Sequence, residues 1–185
     1  MNYKKYITLL SSALLLCIVS CGCSNTDNEN TTDNTTTLSV KDTTQTVENG
    51  NIKVTLENTY SIEKDTTFQK PGIVIQKTPK QYISVETLEN GVYGVEKNAD
   101  GTYSFEKMKE DFTKHSANYS QSPVWELEYG NKKMVKITTY VNGLDADIYR
   151  YISDSGEVFK IVVAGKEFKD SDEAEEIIRK IEIKW

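Results

Sequence analysis

Across residues 134–152 apolar and polar side chains alternate, and the alternation turns over at Asn142-Gly143. An Asn-Gly pair between two such runs predicts a two-residue β-hairpin, because both turn positions need the left-handed backbone that Asn and Gly tolerate best. The loop length sets the register, with Val141 opposite Leu144, Thr139 opposite Ala146 and Ile137 opposite Ile148 on one face. The other face pairs Tyr140 with Asp145, Thr138 with Asp147, Lys136 with Tyr149 and Met134 with Tyr151. Asp154-Ser155-Gly156 reads as a turn into a third strand, in which Val158 and Val162 join the first face and Phe159, Ile161 and Val163 the second. A sheet apolar on both faces has to be covered on both. Gly130-Asn131 predicts another hairpin, between Trp125–Tyr129 and the strand of Met134. Shorter alternating runs predict strands at residues 52–56, 60–62, 73–76, 82–88 and 92–96.

Helical spacing supplies the covers. Ser104 can cap a helix whose apolar stripe is Phe105, Met108 and Phe112, followed by Tyr119, and Pro123 limits its extension. A second helix is expected from Asp170 or Ser171, with Glu173 completing a capping box behind Asp170. Acidic residues crowd its start and Arg179 and Lys180 its end, as the helix dipole favours, and Ala174, Ile177, Ile178 and Ile181 form its buried stripe. From Ile181 the period becomes two, so the chain is expected to close on a strand. The fold class is α+β, a single domain over residues 49–185 with helices packed on an antiparallel sheet.

The other apolar stretch is the N-terminal one. Lys4 and Lys5 precede residues 7–19, which carry no charge, and small Ser20 stands before Cys21. A basic start, a short apolar core and small residues at the cut form a secretory signal, too short for the roughly 20 residues of a membrane span. Ile18-Val19-Ser20-Cys21 resembles the lipobox of bacterial lipoproteins. That resemblance implies cleavage before Cys21, a diacylglycerol on its thiol, and a place on the extracytoplasmic face of the cell membrane of a Gram-positive bacterium. The alternative is an ordinary cleaved signal with Cys21 and Cys23 left over or paired; Cys23 is also a poorer lipidation site, since its −3 position is Ser20. Cys17 leaves with the signal, residues 1–20. All three cysteines precede residue 24, so the folded part has no disulfide and no thiolate metal site.

Residues 24–37 are almost wholly Thr, Asn and acid and cannot be buried, so residues 21–48 are expected to be a lipidated N-terminus and disordered tether. A flexible tether of ~27 residues spans about 30 Å on average. Loss of Lys4 and Lys5 with the signal takes the net charge from −6 to −8. That argues against nucleic acid and against adhesion of the domain itself to anionic lipid.

The order of strands, helix, three-strand meander and C-terminal helix resembles the PsbP-like α/β/α sandwich of many small bacterial lipoproteins. The residues that carry the resemblance are Tyr140 to Gly143, Asp147 to Tyr151 and Asp172 to Ile183. It implies an accessory or binding protein rather than an enzyme, with no functional residue carried over.

Chemistry is sparse. His115, the single histidine, falls on the apolar helix stripe and reads as a rim residue rather than a base or ligand. Residues 96–101 faintly resemble a calcium loop, but Glu96 and Lys107 stand where Asp and Glu are required, so a plain turn is expected. Asp145 with Asp147, and Glu126 with Glu128, share strand faces and could serve glycoside chemistry, as solvated strand faces often give the impression of doing. The remaining candidate is the mixed face of Lys136, Tyr140, Asp145, Asp147, Tyr149 and Tyr151, where rings with polar tips suit an interface. A covering helix over the aromatic part, leaving only the charged end wet, is the competing expectation. The chain is thus expected to be a non-catalytic lipoprotein, without cofactor or metal, that binds a protein or envelope partner. A carboxylate-based cell-wall hydrolase and a small-ligand sensor are the alternatives.

Overall fold

A computed structural model describes residues 43–65 and 70–183. The signal segment, Cys17, Cys21, Cys23 and the tether up to residue 42 lie outside the described residues.

Seven strands form one antiparallel sheet. They are β3 (Ser61–Asp65), β4 (Gly72–Thr78), β5 (Gln81–Leu88), β6 (Trp125–Tyr129), β7 (Lys132–Val141), β8 (Leu144–Ile152) and β9 (Val158–Ala164), in the order β3-β4-β5-β9-β8-β7-β6. Asn142 and Gly143 have φ of 52° and 79°, and the hairpin pairs every residue from Met134↔Tyr151 to Val141↔Leu144 as the alternation requires. A smaller antiparallel sheet joins β1 (Thr44–Asn49), β2 (Ile52–Glu57) and the closing strand β10 (Ile181–Ile183), in the order β1-β2-β10.

Helix α1 (Phe105–Ser116) starts where Ser104 Oγ accepts from Lys107 N at 3.3 Å. It places Met108 and Phe112 in a buried cluster with Leu88, Val135, Ile137, Ile148, Val158 and Val162. Helix α2 (Asp172–Lys180) packs on the other face, where Ala174, Ile177 and Ile178 share a cluster with Tyr149, Tyr151, Phe159, Ile161, Val163 and the inward residues Ile52, Val54 and Leu56 of β2. Each fully buried aliphatic or aromatic side chain contributes about 1.5–3 kcal/mol. Lys132 Nζ donates to the carbonyls of Ile178, Arg179 and Ile181 at 3.4, 3.3 and 2.6 Å, which satisfies the open end of α2.

Several expectations need correction. The folded part begins at Thr44 rather than Asn49, because the polar segment Thr44–Asn49 is the outer strand of the small sheet, and an outer strand turns alternate side chains to water. Residues 92–96 are not a strand: Val92–Gly94 is a single 3₁₀ turn between Gly91 and Gly94, both with positive φ, and it has no strand partner. The box behind Asp170 does not form. Ser171 is the cap, accepting from Ala174 N at 3.2 Å, so Glu173 stands one position too early to reach back. Its carboxylate instead accepts from Tyr60 Oη and Lys77 Nζ, each at 2.6 Å. The terminal strand is present, but it pairs with β2 and not with the seven-stranded sheet.

Candidate functional site

On the α2 side of the sheet the candidate residues divide into a covered and an open part. Tyr149 and Tyr151 are buried with the α2 stripe, so neither is available to a partner, which corrects their assignment as binding candidates. Burial pushes the Tyr149 hydroxyl far above the usual phenol range, reinforced by Tyr129 and Asp147 beside it. The tyrosine is a packing residue.

One row further along the strands the face becomes polar. Asp147 is 0% exposed and accepts from Thr138 Oγ1 at 2.7 Å and Lys136 Nζ at 2.9 Å, with Lys169 Nζ at 3.9 Å. Lys169 comes from the segment between β9 and α2. Burial opposes its charge, but Asp170, Asp147 and Asp145 outweigh that and raise its pKa. Lys136 Nζ also lies 5.6 Å from the ring centroid of Trp125 and 5.9 Å from that of Tyr149. Around this closed ionic group stand two exposed rings, Trp125 at 43% and Tyr140 at 73%. They are four residues apart in register along neighbouring strands, about 14 Å at ~3.4 Å per residue. Asp145 is half-buried and lines a groove of about 480 Å³ with Gln81, Lys166 and Glu167.

A carboxylate shut away from solvent and committed to two ammonium groups and a hydroxyl is poorly placed to exchange protons with a substrate. Asp147 is therefore a structural acid. Glu126, the other paired-acid candidate, lies on the opposite side of β6 and is ion-paired to Lys109 of α1 and to Lys133. The loop at residues 96–101 is a turn closed by Asp100 Oδ1, which accepts from Thr102 N at 3.0 Å and Thr102 Oγ1 at 2.7 Å. Trp125 belongs to the open surface and Lys169, with 11% of its side chain exposed, to the closed ionic group; neither was among the sequence candidates. For Trp125 the signal was there: carrying the register through the Gly130 hairpin sets it opposite Lys136.

A second group of charges lies under α1. Arg150 is 1% exposed, and its Nη2 donates to the carbonyl oxygen of Tyr93 at 2.5 Å, while the guanidinium carbon lies 4.3 Å from the Phe112 ring centroid. Burial lowers its pKa to about 10 against the opposing pull of Tyr119 and Asp111. Tyr93 itself holds a left-handed φ of 50°, a conformation that costs a non-glycine residue about 1 kcal/mol or more. A side chain on Gly94 would put its Cβ 3.0 Å from His115, so glycine is needed there.

His115 sits edge-on to Tyr93 and Tyr119, with ring centroids 6.3 and 5.4 Å away. Burial, then the nearby Arg150 charge, hold its pKa below the ordinary 6.5. A histidine with a depressed folded pKa binds fewer protons folded than unfolded. Its contribution to stability is thus present above pH 6.5 and is lost as pH falls through the folded-state value. As the chain has one histidine, a proton NMR titration is expected to give a single imidazole midpoint below 6.5, and His115→Gln to flatten the stability slope in that window. A midpoint at or above 6.5 would contradict this placement.

No family model matches the chain, and no curated protein matches it. Among solved structures it is distantly similar to the solution structure of cyanobacterial PsbP (CyanoP) from Synechocystis sp. PCC 6803, at 9% identity and a TM-score of 0.47, over 78% of this chain and 95% of that one.

Proposed function

We propose that the chain is a lipoprotein, held through a diacylglycerol on Cys21 at the extracytoplasmic face of a bacterial cell membrane, whose α+β domain binds a protein of the cell envelope and performs no catalysis. The observation that carries the binding role is the pairing of two exposed rings, Trp125 and Tyr140, around an acid that is already neutralised. Large exposed rings beside a charge-balanced group supply contact area at little desolvation cost. Trp125 also lies on β6, the outermost strand of the sheet, where an extended segment of a partner can add by backbone hydrogen bonds. A PsbP-like layering belongs to the same reading, supported by α1 on one face and α2 with the small sheet on the other. The hydrolase reading loses support because Asp147 is closed off.

The test is a photo-crosslinking residue placed at Tyr140 in intact cells. A discrete protein adduct is expected, absent when the same probe replaces the exposed Thr113 on α1 and lost with Trp125→Ala. Equal adducts from both positions would remove the surface from consideration.

A further inference from the structure

Glu86, Lys160 and Arg150 occupy one row across β5, β9 and β8, on the side that faces α1. Lys160 Nζ bonds Glu86 at 2.6 Å, which accounts for one cation of the two. The other has no acid. Nε and Nη1 of Arg150 are buried and meet no acceptor in the protein, and no carboxylate among the described residues forms an ion pair with the guanidinium. Asp111 of α1 acts on the guanidinium through space only, and its oxygens accept from Lys107 Nζ and from Glu96 N. The row of Glu86, Lys160 and Arg150 therefore carries one positive charge more than its own acid balances.

What covers this charge is the turn Val92–Gly94. Gly91, Tyr93 and Gly94 all have positive φ, at 82°, 50° and 76°. Tyr93 is exposed, its carbonyl holds Arg150 Nη2, and its ring lies 4.0 Å from Lys160 Nζ. One residue thus occupies the open sides of both cations. We propose that Arg150 and Lys160 form a binding site for a small oxyanion, a carboxylate or a phosphate, which enters as the Val92–Gly94 turn lifts. The planar guanidinium fork matches two oxygens of such an anion, and the anion supplies the charge that the row lacks. Lifting the turn breaks the bond from Nη2 to the Tyr93 carbonyl and clears the ring from Lys160; Arg150 then holds the ligand, and Lys160 keeps its bond to Glu86 and adds its positive charge from the next strand. The site lies on the opposite face from Trp125 and Tyr140, and its failure would leave the proposed partner surface standing.

The test is a titration of the full chain with sodium phosphate, and separately with acetate, against sodium chloride at equal ionic strength. The chain has two arginines, Arg150 and Arg179, so the side-chain Nε–H region of the NMR spectrum holds two resonances to assign. The Arg150 resonance is expected to shift saturably with phosphate or acetate, and the thermal midpoint to rise, at concentrations where chloride does neither. Arg150→Met is expected to fold with an equal or higher thermal midpoint, since replacing an unpaired buried cation by an apolar side chain of similar length removes a desolvation penalty. It should show no response to the oxyanions. A wild-type Arg150 resonance that responds no more to phosphate and acetate than to chloride would overturn the proposal, and would leave water as the partner of Nε and Nη1. A response that persists in Arg150→Met would also overturn it by putting the anion elsewhere. If that variant does not fold, the wild-type titration decides by itself.

Discussion

Phe112→Ala is expected to lower the unfolding free energy by about 3–5 kcal/mol, the range for removing a buried aromatic ring. Phe112 is fully buried and, with Met108, forms the part of α1 that fills the cluster beneath it. The sheet residues around it, Val135, Ile137, Ile148 and Val162, are held in a regular ladder and cannot collapse into the space. The same ring lies against the Arg150 guanidinium, which would lose its one aromatic contact. Against a total stability of about 5–15 kcal/mol for a domain, the loss is about a fifth or more. Equilibrium denaturation measures it, with Phe112→Leu expected to retain most of the stability. A loss below about 1 kcal/mol for the alanine would mean that α1 contributes little to closing this face.

Asp147→Ala is expected to cost about 3 kcal/mol, the lower end for breaking a buried ion pair from one side. Its two cations set that end: the Lys136 and Lys169 side chains keep 22% and 11% of their exposure, so each ammonium can be partly rehydrated once the acid has gone. The loss comes from the stranded charges, and this gives a sharper form of the test. Removing a lysine as well, in Asp147→Ala with Lys136→Met, is expected to restore part of the stability, so that the two changes are not additive. Strict additivity would show that Asp147 acts through packing and not through its charge. The exposed Trp125→Ala and Tyr140→Ala changes, by contrast, should leave stability within about 0.5 kcal/mol, the usual range for surface positions.

Where backbone chemistry is local, the residues could be read directly. Asn142-Gly143 needs no tertiary context to form its turn, and the pairing of Lys136 with Tyr149 and of Thr138 with Asp147 follows from loop length alone. The division of the Tyr-rich face was legible only as a choice, because whether α2 lies over Tyr149 or beside it depends on long-range packing. Three features escaped for physical reasons. Thr44–Asn49 carries one aliphatic residue, Val47, and an outer strand of that composition looks like tether. The turn at Val92–Gly94 has the apolar content of a strand, and its form rests on contacts of Tyr93 with Arg150, Lys160 and His115, remote in the chain. Arg150 alternates correctly with Ile148 and Ile152, so its inward direction was implied by the register. A charged residue in such a place is easily passed over as a surface residue, and here it is the most deeply buried cation of the fold's described part.

The proposed function rests on anchoring through Cys21, and one measurement addresses that proposal most directly. Cells expressing the full chain are grown with an alkyne-tagged palmitate, fractionated, and the protein examined for label and membrane partition. The wild-type chain is expected to carry the label and sediment with membranes, and Cys21→Ala to lose both, with its folded domain unchanged in thermal midpoint. A Cys21→Ala chain that keeps its label and its membrane partition would contradict lipidation at Cys21.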